Sequence, residues 1–370
     1  LNSHYDVVPV IADKWTKPAF EGLRENGRVY GRGAQDMKCV CIQYVEAVRK
    51  LVHSGYQPRR TVHLSFVPDE EIGGVDGMCI VLGSAWYTGL PGGGVALALD
   101  EGLASTDADY SVFYGERLPW WIRVKVEGNT GHGSRFISGT AVERVVKIVN
   151  QALAFREQQR LLLHGGCPHA GCDHSVAAAN IKRQTSGKMG LGDVTSLNVT
   201  RINAGIMSGG KPVLNVIPSQ AEACFDIRIS PHTPPEDIAA EIDRWCQAEN
   251  AGADGVTTEA PATVTWEWIN PGALAHATTS TDATNPWWLL FSDTIAALGV
   301  GIRPEVFPAA TDSRFLRAQG IRALGFSPMR YSPILLHEHD EYLDESVFIE
   351  GVDIYTHVIK ALASAPRDVK

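Results

Sequence analysis

The chain has 370 residues, of which 44% are hydrophobic, so it has ample apolar material for a buried core and is not a disordered or low-complexity segment. At roughly 150 residues per domain, that length fits two or three domains. The 42 acidic and 33 basic residues give a formal charge of −9, which argues against a nucleic-acid binder, because such affinity needs a basic surface. No apolar run approaches the roughly 18 residues of a transmembrane helix, and no charged n-region leads an apolar h-region, so neither a membrane span nor a signal peptide is expected. Cys39, Cys41, Cys79, Cys167, Cys172, Cys224 and Cys246 are odd in number and irregularly spaced. That pattern suits a reducing compartment, the cytoplasm, better than a disulfide framework.

In chain order, residues 1–10 read as a strand end running into a loop. Val40, Tyr44, Val45, Val48, Leu51 and Val52 recur at helical spacing and predict a helix over 38–53. Thr61–Val67 reads as a strand that Pro68 ends, Met78–Leu82 as a short helix, and Gly94–Leu99 as a buried strand running into Asp100-Glu101. Strands that alternate with helices and end in acidic or Gly-rich residues predict an open α/β sheet, whose sites lie at the carboxyl ends of the strands. Beyond about residue 117 the pattern changes. Trp120–Glu127, Val194–Ile202, Ala221–Ile229 and Val264–Ile269 alternate as half-buried strands. Thr140–Leu163 and Pro234–Gln247 read as helices, the second with Thr233 as its N-cap. This is β-α-β-β-α-β, an α+β unit of ferredoxin-like type. Helical spacing resumes over 286–299, a strand follows at Ala323–Phe326, and the last helix spans Ser346–Ala363. The α/β domain is therefore expected to be interrupted, with its first part over 1–117, an inserted domain over 118–271 and its second part over 272–370.

Clusters of His, Asp and Glu follow these strand ends. His4-Tyr5-Asp6 places two polar side chains on one strand face, and a carboxylate beside a metal-ligating imidazole fixes its tautomer. A surface His–Asp pair is the plain alternative. Asp36, which closes Tyr30-Gly-Arg-Gly-Ala-Gln-Asp36, precedes a helix and could simply cap it. Asp69-Glu70-Glu71 stacks three carboxylates after a buried strand, which costs stability unless a cation or proton offsets it; a solvated acidic turn is the alternative. Asp100-Glu101 and His337-Glu338-His339-Asp340-Glu341 complete the set. Mixed nitrogen and oxygen ligands of this kind suit zinc or a similar divalent ion, and a carboxylate bridging two ions makes a two-metal hydrolytic site.

Taken together, LNSHYDVVPV (1–10), YGRGAQDMKC (30–39), FVPDEEIGG (66–74), ALDEG (98–102), ERLPWWIRV (116–124), GHGSRF (131–136), LNVIP (214–218), TDSRFLRAQGIRALGFSP (311–328) and LLHEHDEYL (335–343) resemble the motifs of the M20 metallopeptidase family, in family order. The resemblance implies an M20-type α/β catalytic domain with a mixed or parallel sheet, interrupted by an α+β lid and dimerisation domain. It implies zinc-dependent hydrolysis of N-acyl-L-amino acids to a carboxylate and a free L-amino acid, with two Zn2+ per subunit. His4, Asp36 and Glu101 would hold one zinc, and Asp36, Glu71 and His337 the other, with Asp36 as the bridge. Asp6 would orient His4, and Glu70 would be the general base. His132 would reach the active site of the partner subunit in a homodimer and stabilise the oxyanion. Asn215 and Arg228 would contact substrate, Arg228 taking its carboxylate. The Asp36–Met37 bond is expected to be cis.

Within the family, a dipeptidase or a desuccinylase would share this metal site. An alternative of another class is an inactive chain acting only through its dimerisation domain. Relatives carry several dozen residues before the HxD motif, so the first part of the catalytic domain is expected to be missing. Residues 164–192 are expected to be a flexible insertion, in which Cys167, His169, Cys172 and His174 could hold a structural metal. Trp120-Trp121 and Trp287-Trp288 read as domain-seam or interface anchors.

Overall fold

The apolar stripe over 38–53 becomes a 16-residue helix, Lys38–His53, in the computed structural model, which describes residues 1–90, 94–164, 189–251, 263–269 and 275–369. The helix buries Val40, Tyr44, Ala47 and Leu51 and packs on the C-terminal helix Glu345–Ala363, where the Tyr44 and Tyr355 rings lie 4.6 Å apart. Two units emerge: Leu1–Glu116 with Ala277–Lys370, and Arg117–His276.

The first unit contains a four-stranded mixed sheet in the order Ile302–Phe307, Tyr110–Glu116, Arg322–Phe326, Leu97–Asp100. Its two outer pairings are parallel and the central one antiparallel. Asn2–His4 pairs in parallel with Ser65–Val67. Trp287, Trp288, Phe291, Phe326 and Tyr355 belong to one buried cluster with the helices, since strands covered on both faces need apolar side chains throughout. The expected strand over 61–67 is paired only from Ser65, because its partner's register begins with Asn2 opposite Ser65. His4 closes one strand, Asp69-Glu70-Glu71 follow a second, and Asp100-Glu101 end a third, so the polar clusters gather at carboxyl ends of strands.

The second unit has four antiparallel strands: Leu118–Glu127, Ser196–Ala204, Gln220–Ile229 and Val264–Trp268. Their spatial order is fourth, first, third, second, which is the ferredoxin-like arrangement. Alternation sends Trp120, Ile122, Val124 and Val126 into a core with Val145, Ile148, Ile238, Ile242 and Trp245 from helices Ala141–Leu163 and Pro235–Asn250. The first helix opens with a capping box, in which Glu143 N–H donates to Thr140 and Thr140 N–H to Glu143. The second does not use Thr233 as its cap. Pro234 takes that position and Pro235 the first turn, where no N–H needs a partner, and the Thr233 hydroxyl pairs with that of Thr195 at 3.3 Å.

Three of the four tryptophans differ from expectation: Trp120, Trp287 and Trp288 are core residues of their own units, because strand alternation or helix packing turns them inward, whereas Trp121 is exposed and donates Nε1 to Asp226 Oδ2 at 3.1 Å. Cys167, His169, Cys172 and His174 lie outside the described residues, as does most of 164–192. Among the described residues, no helix is long and apolar enough to cross a membrane.

Candidate metal centre

His4 is 1% exposed. Its Nδ1 lies 3.1 Å from the Asp6 carbonyl oxygen and 3.3 Å from Asp6 Oδ1, two acceptors that would hold a proton on that side and leave Nε2 as the nitrogen for an ion. Nε2 faces Asp36 Oδ1 at 3.1 Å, Glu101 Oε2 at 3.4 Å and Glu70 Oε2 at 4.0 Å. From the other side, His337 Nε2 approaches Asp36 Oδ2 at 3.2 Å and Glu71 Oε2 at 3.0 Å. The two oxygens of Asp36 thus serve different imidazoles. His4, Glu70 and Glu101 form one group whose ligand atoms lie within 4.8 Å of one another, and His4, Asp36 and Glu71 form another.

Local structure explains why these side chains meet. Gly33 has φ +88°, and a Cβ there would stand 2.8 Å from Val7 Cγ1, so the loop before Asp36 needs glycine. The Asp36–Met37 bond is cis. Asp6 does more than face His4. Its Oδ1 and Oδ2 accept the backbone N–H groups of Glu70 at 3.3 Å and Glu71 at 3.1 Å, which aims both carboxylates from one anchor. Asp69 and Asp100 have scaffold roles. Asp69 Oδ2 accepts from Asp76 N–H at 2.6 Å, and Asp100 accepts from Asn2 Nδ2 at 3.0 Å and Ser313 Oγ at 2.8 Å.

The electrostatics test whether this set suits cations. Burial, reinforced by Asp312 and Asp100, pushes the Glu70 carboxyl up to about 8 against the pull of His4. Burial raises Glu101 well above the usual carboxylate range. Hydrogen bonds to Asp36 and Glu71 hold His337 up at about 10. Glu71 Oε1 is buried and has no partner. Four carboxylates crowd two imidazoles, one buried oxygen is unsatisfied, and the donors mix nitrogen with oxygen. A divalent cation offsets this charge and satisfies this donor set, so the residues fit one.

The remaining candidates lie in the second unit. His132 is exposed on the short strand Gly131–His132, opposite Val216 of Val216–Ile217, and its Nδ1 is 2.7 Å from Ser134 Oγ. Gly133 N–H donates to the Asn215 carbonyl at 2.8 Å, which sets His132 and exposed Asn215 side by side. Arg228 directs Nε and Nη2 at Asp226, at 2.7 and 3.0 Å. Sequence reasoning overlooked Arg32, Gln35, Asp312 and Glu341, all buried. Each lies within a motif already singled out, and charged or amide groups inside Gly-rich or His-rich loops were the available signal.

The fold and the clustered ligands define a class of metallohydrolase. Residues 1–361 match the model of peptidase family M20/M25/M40, and the chain belongs to that family. It is 43% identical to Aminoacylase-1 of Sus scrofa over 367 residues, covering 99% of this chain and 80% of that protein. Two solved structures share the fold. The dipeptidase Dug1p of Saccharomyces cerevisiae aligns with a TM-score of 0.62 at 16% identity, over 99% of this chain and 79% of that one. A dinuclear metal-binding peptidase of the M20 family from Bacillus subtilis aligns with a TM-score of 0.59 at 15% identity, over 98% of this chain and 81% of that one.

Proposed function

We propose that the chain hydrolyses the amide bond of N-acyl-L-amino acids, releasing a carboxylate and a free L-amino acid, and that it uses two zinc ions. The observation that carries this reading is the carboxylate of Asp36 shared between His4 and His337, with Glu70 beside it. The 43% identity to Aminoacylase-1 supports the substrate class. His4, Asp36 and Glu101 would hold one ion, and Asp36, Glu71 and His337 the second. Bound zinc would supply Lewis acidity toward water and the amide carbonyl.

The protein's own groups do the rest. Glu70 takes a proton from the attacking water and returns it to the leaving amine nitrogen. Asp6 fixes the His4 tautomer and the Glu70-Glu71 turn together. His132 donates to the developing oxyanion, and in this reading it comes from the inserted domain, 118–271, of the partner subunit in a homodimer. Asn215 and Arg228 bind the polar end of the substrate, a guanidinium suiting its carboxylate and sharing its fork with Asp226. Cys39, Cys41, Cys79, Cys224 and Cys246 are free thiols, which supports a cytoplasmic setting.

Metal analysis combined with a paired assay tests the reading. We expect two zinc ions per chain and a kcat/KM for N-acetyl-L-methionine at least about tenfold above that for the dipeptide carnosine. A dipeptide preference would overturn the substrate class, and a protein that takes up no divalent ion would overturn the metal centre.

A further inference from the structure

The His337 side of the centre has a support that the reaction described above does not use. Glu341 is 0% exposed and Arg32 is 3% exposed, and they pair at 2.7 Å. Glu341 is also saturated by backbone. Its Oε2 accepts from Gly33 N–H at 3.0 Å, and its Oε1 from Gln35 N–H at 2.7 Å and Asp36 N–H at 3.2 Å. Arg32 also donates to the other ligand loop, with Nη1 to the Glu338 carbonyl at 3.1 Å and Nη2 to the His337 carbonyl at 3.2 Å, while its buried Nε has no partner. His337 needs such support because it has φ +61°, a left-handed conformation that a residue with a Cβ adopts at a cost. Gln35 adds a third tie, donating Nε2 to the Pro333 and Tyr342 carbonyls at 3.0 and 2.8 Å and accepting from Leu335 N–H at 3.0 Å.

We propose that the Arg32–Glu341 pair is a positioning device that locks the Asp36 loop to the His337 loop and so sets the affinity for the ion on the His337 side. The proposal rests on the reading that Asp36 and His337 ligate metal. Neither residue touches a ligand side chain. Glu341 holds the amide of Asp36, Arg32 holds the carbonyl of His337, and the ion pair joins the two, so the separation of the two ligand backbones is fixed across about 300 residues of chain. The planar fork of Arg32, lying over the Trp15 ring at 5.2 Å, reaches the carboxylate and both carbonyls at once, which a single ammonium does not do with the same geometry. His4 has no such dependence, since the paired strand Asn2–His4 carries it.

Metal-depleted protein titrated with Zn2+ by equilibrium dialysis, and with Co2+ followed by its visible absorption, tests this. The wild type should bind two ions. In Glu341→Gln and Arg32→Lys the ion that His337→Ala also weakens should lose about 10–100-fold in affinity, the usual size when a residue that orients a ligand is changed, while the other ion changes far less. In a His337→Ala background, Glu341→Gln should add almost nothing to that loss, because both changes remove the same interaction. Glu116→Gln breaks an equally buried pair, Arg317–Glu116, and serves as the control that lowers Tm while keeping both ions. Should Glu341→Gln fail to fold, Arg32→Lys, which retains the charge, carries the test. The proposal is overturned if both variants bind two ions as the wild type does, or if their loss of affinity merely follows Tm as in Glu116→Gln. A wild type that binds no divalent ion overturns the metal reading and this inference with it.

Discussion

His4 and His337 present the same ring atom to opposite oxygens of Asp36, yet they are held in different ways. His4 is 1% exposed, ends a hydrogen-bonded strand and has Asp6 against its Nδ1. His337 is 48% exposed, lies in a loop in a left-handed conformation, and depends on the Arg32 and Glu341 side chains for its backbone position. A ligand can therefore be pre-positioned by regular structure or by buried side-chain bracing. The second route leaves the ligand open to solvent and makes it sensitive to residues that never touch the metal.

The largest expected effect comes from erasing the contrast. Asp36→Ala removes the carboxylate that both halves share, and it should abolish binding of both ions and turnover together, as measured by metal content and N-acetyl-L-methionine hydrolysis. Retention of one ion at full affinity would show that the halves are independent. Glu70→Gln leaves both halves intact and removes only the proton acceptor, so kcat should fall by about 10³-fold with metal content unchanged. Activity within tenfold of wild type would move the base elsewhere.

A third change separates the two sides by stability. In metal-depleted protein, His4→Ala leaves buried carboxylates without a partner and should cost about 1–3 kcal/mol in a denaturant titration. His337→Ala also removes a partner from Asp36 and Glu71, but the half-exposed ring leaves room for water to replace it, so the cost should be smaller, about 0.5–1.5 kcal/mol. Equal costs would mean that the exposure difference does not matter.

The smallest effect is a proton count. The hydrogen bonds to Asp36 and Glu71 raise His337 to about 10, so its ring carries a proton at neutral pH, whereas a metal ligand needs the neutral ring. Ion binding should release that proton, and affinity should climb with pH up to that value. Calorimetry in two buffers of different ionisation enthalpy reads the release, which should be smaller in His337→Ala by close to one proton per chain.

Much of this was legible in the residues. Helix Lys38–His53 and the strands of the second unit follow from period alone, because an apolar stripe or alternation has one favourable way to be buried. The acidic clusters announced themselves by falling just after apolar strands. The bracing was not legible. Glu341 reads as one more acid in an acidic, His-rich loop, and only the fold shows it buried against the amides of Gly33, Gln35 and Asp36. Thr233 is a good cap by type, yet the helix starts at Pro235 without a cap hydrogen bond, because two prolines leave no N–H there that needs one.

By itself, the sequence determined the order of elements, the two-unit plan and the kinds of ligand available, since periodicity and side-chain chemistry are local properties. Tertiary structure alone decided that Asp36 faces two histidines more than 300 residues apart, that one is buried and the other open, and that Asp6 serves His4 and the Glu70-Glu71 turn at once. Those outcomes depend on contacts between segments distant in sequence, whose partners are chosen only when the whole core packs and every buried polar group must find a donor or acceptor.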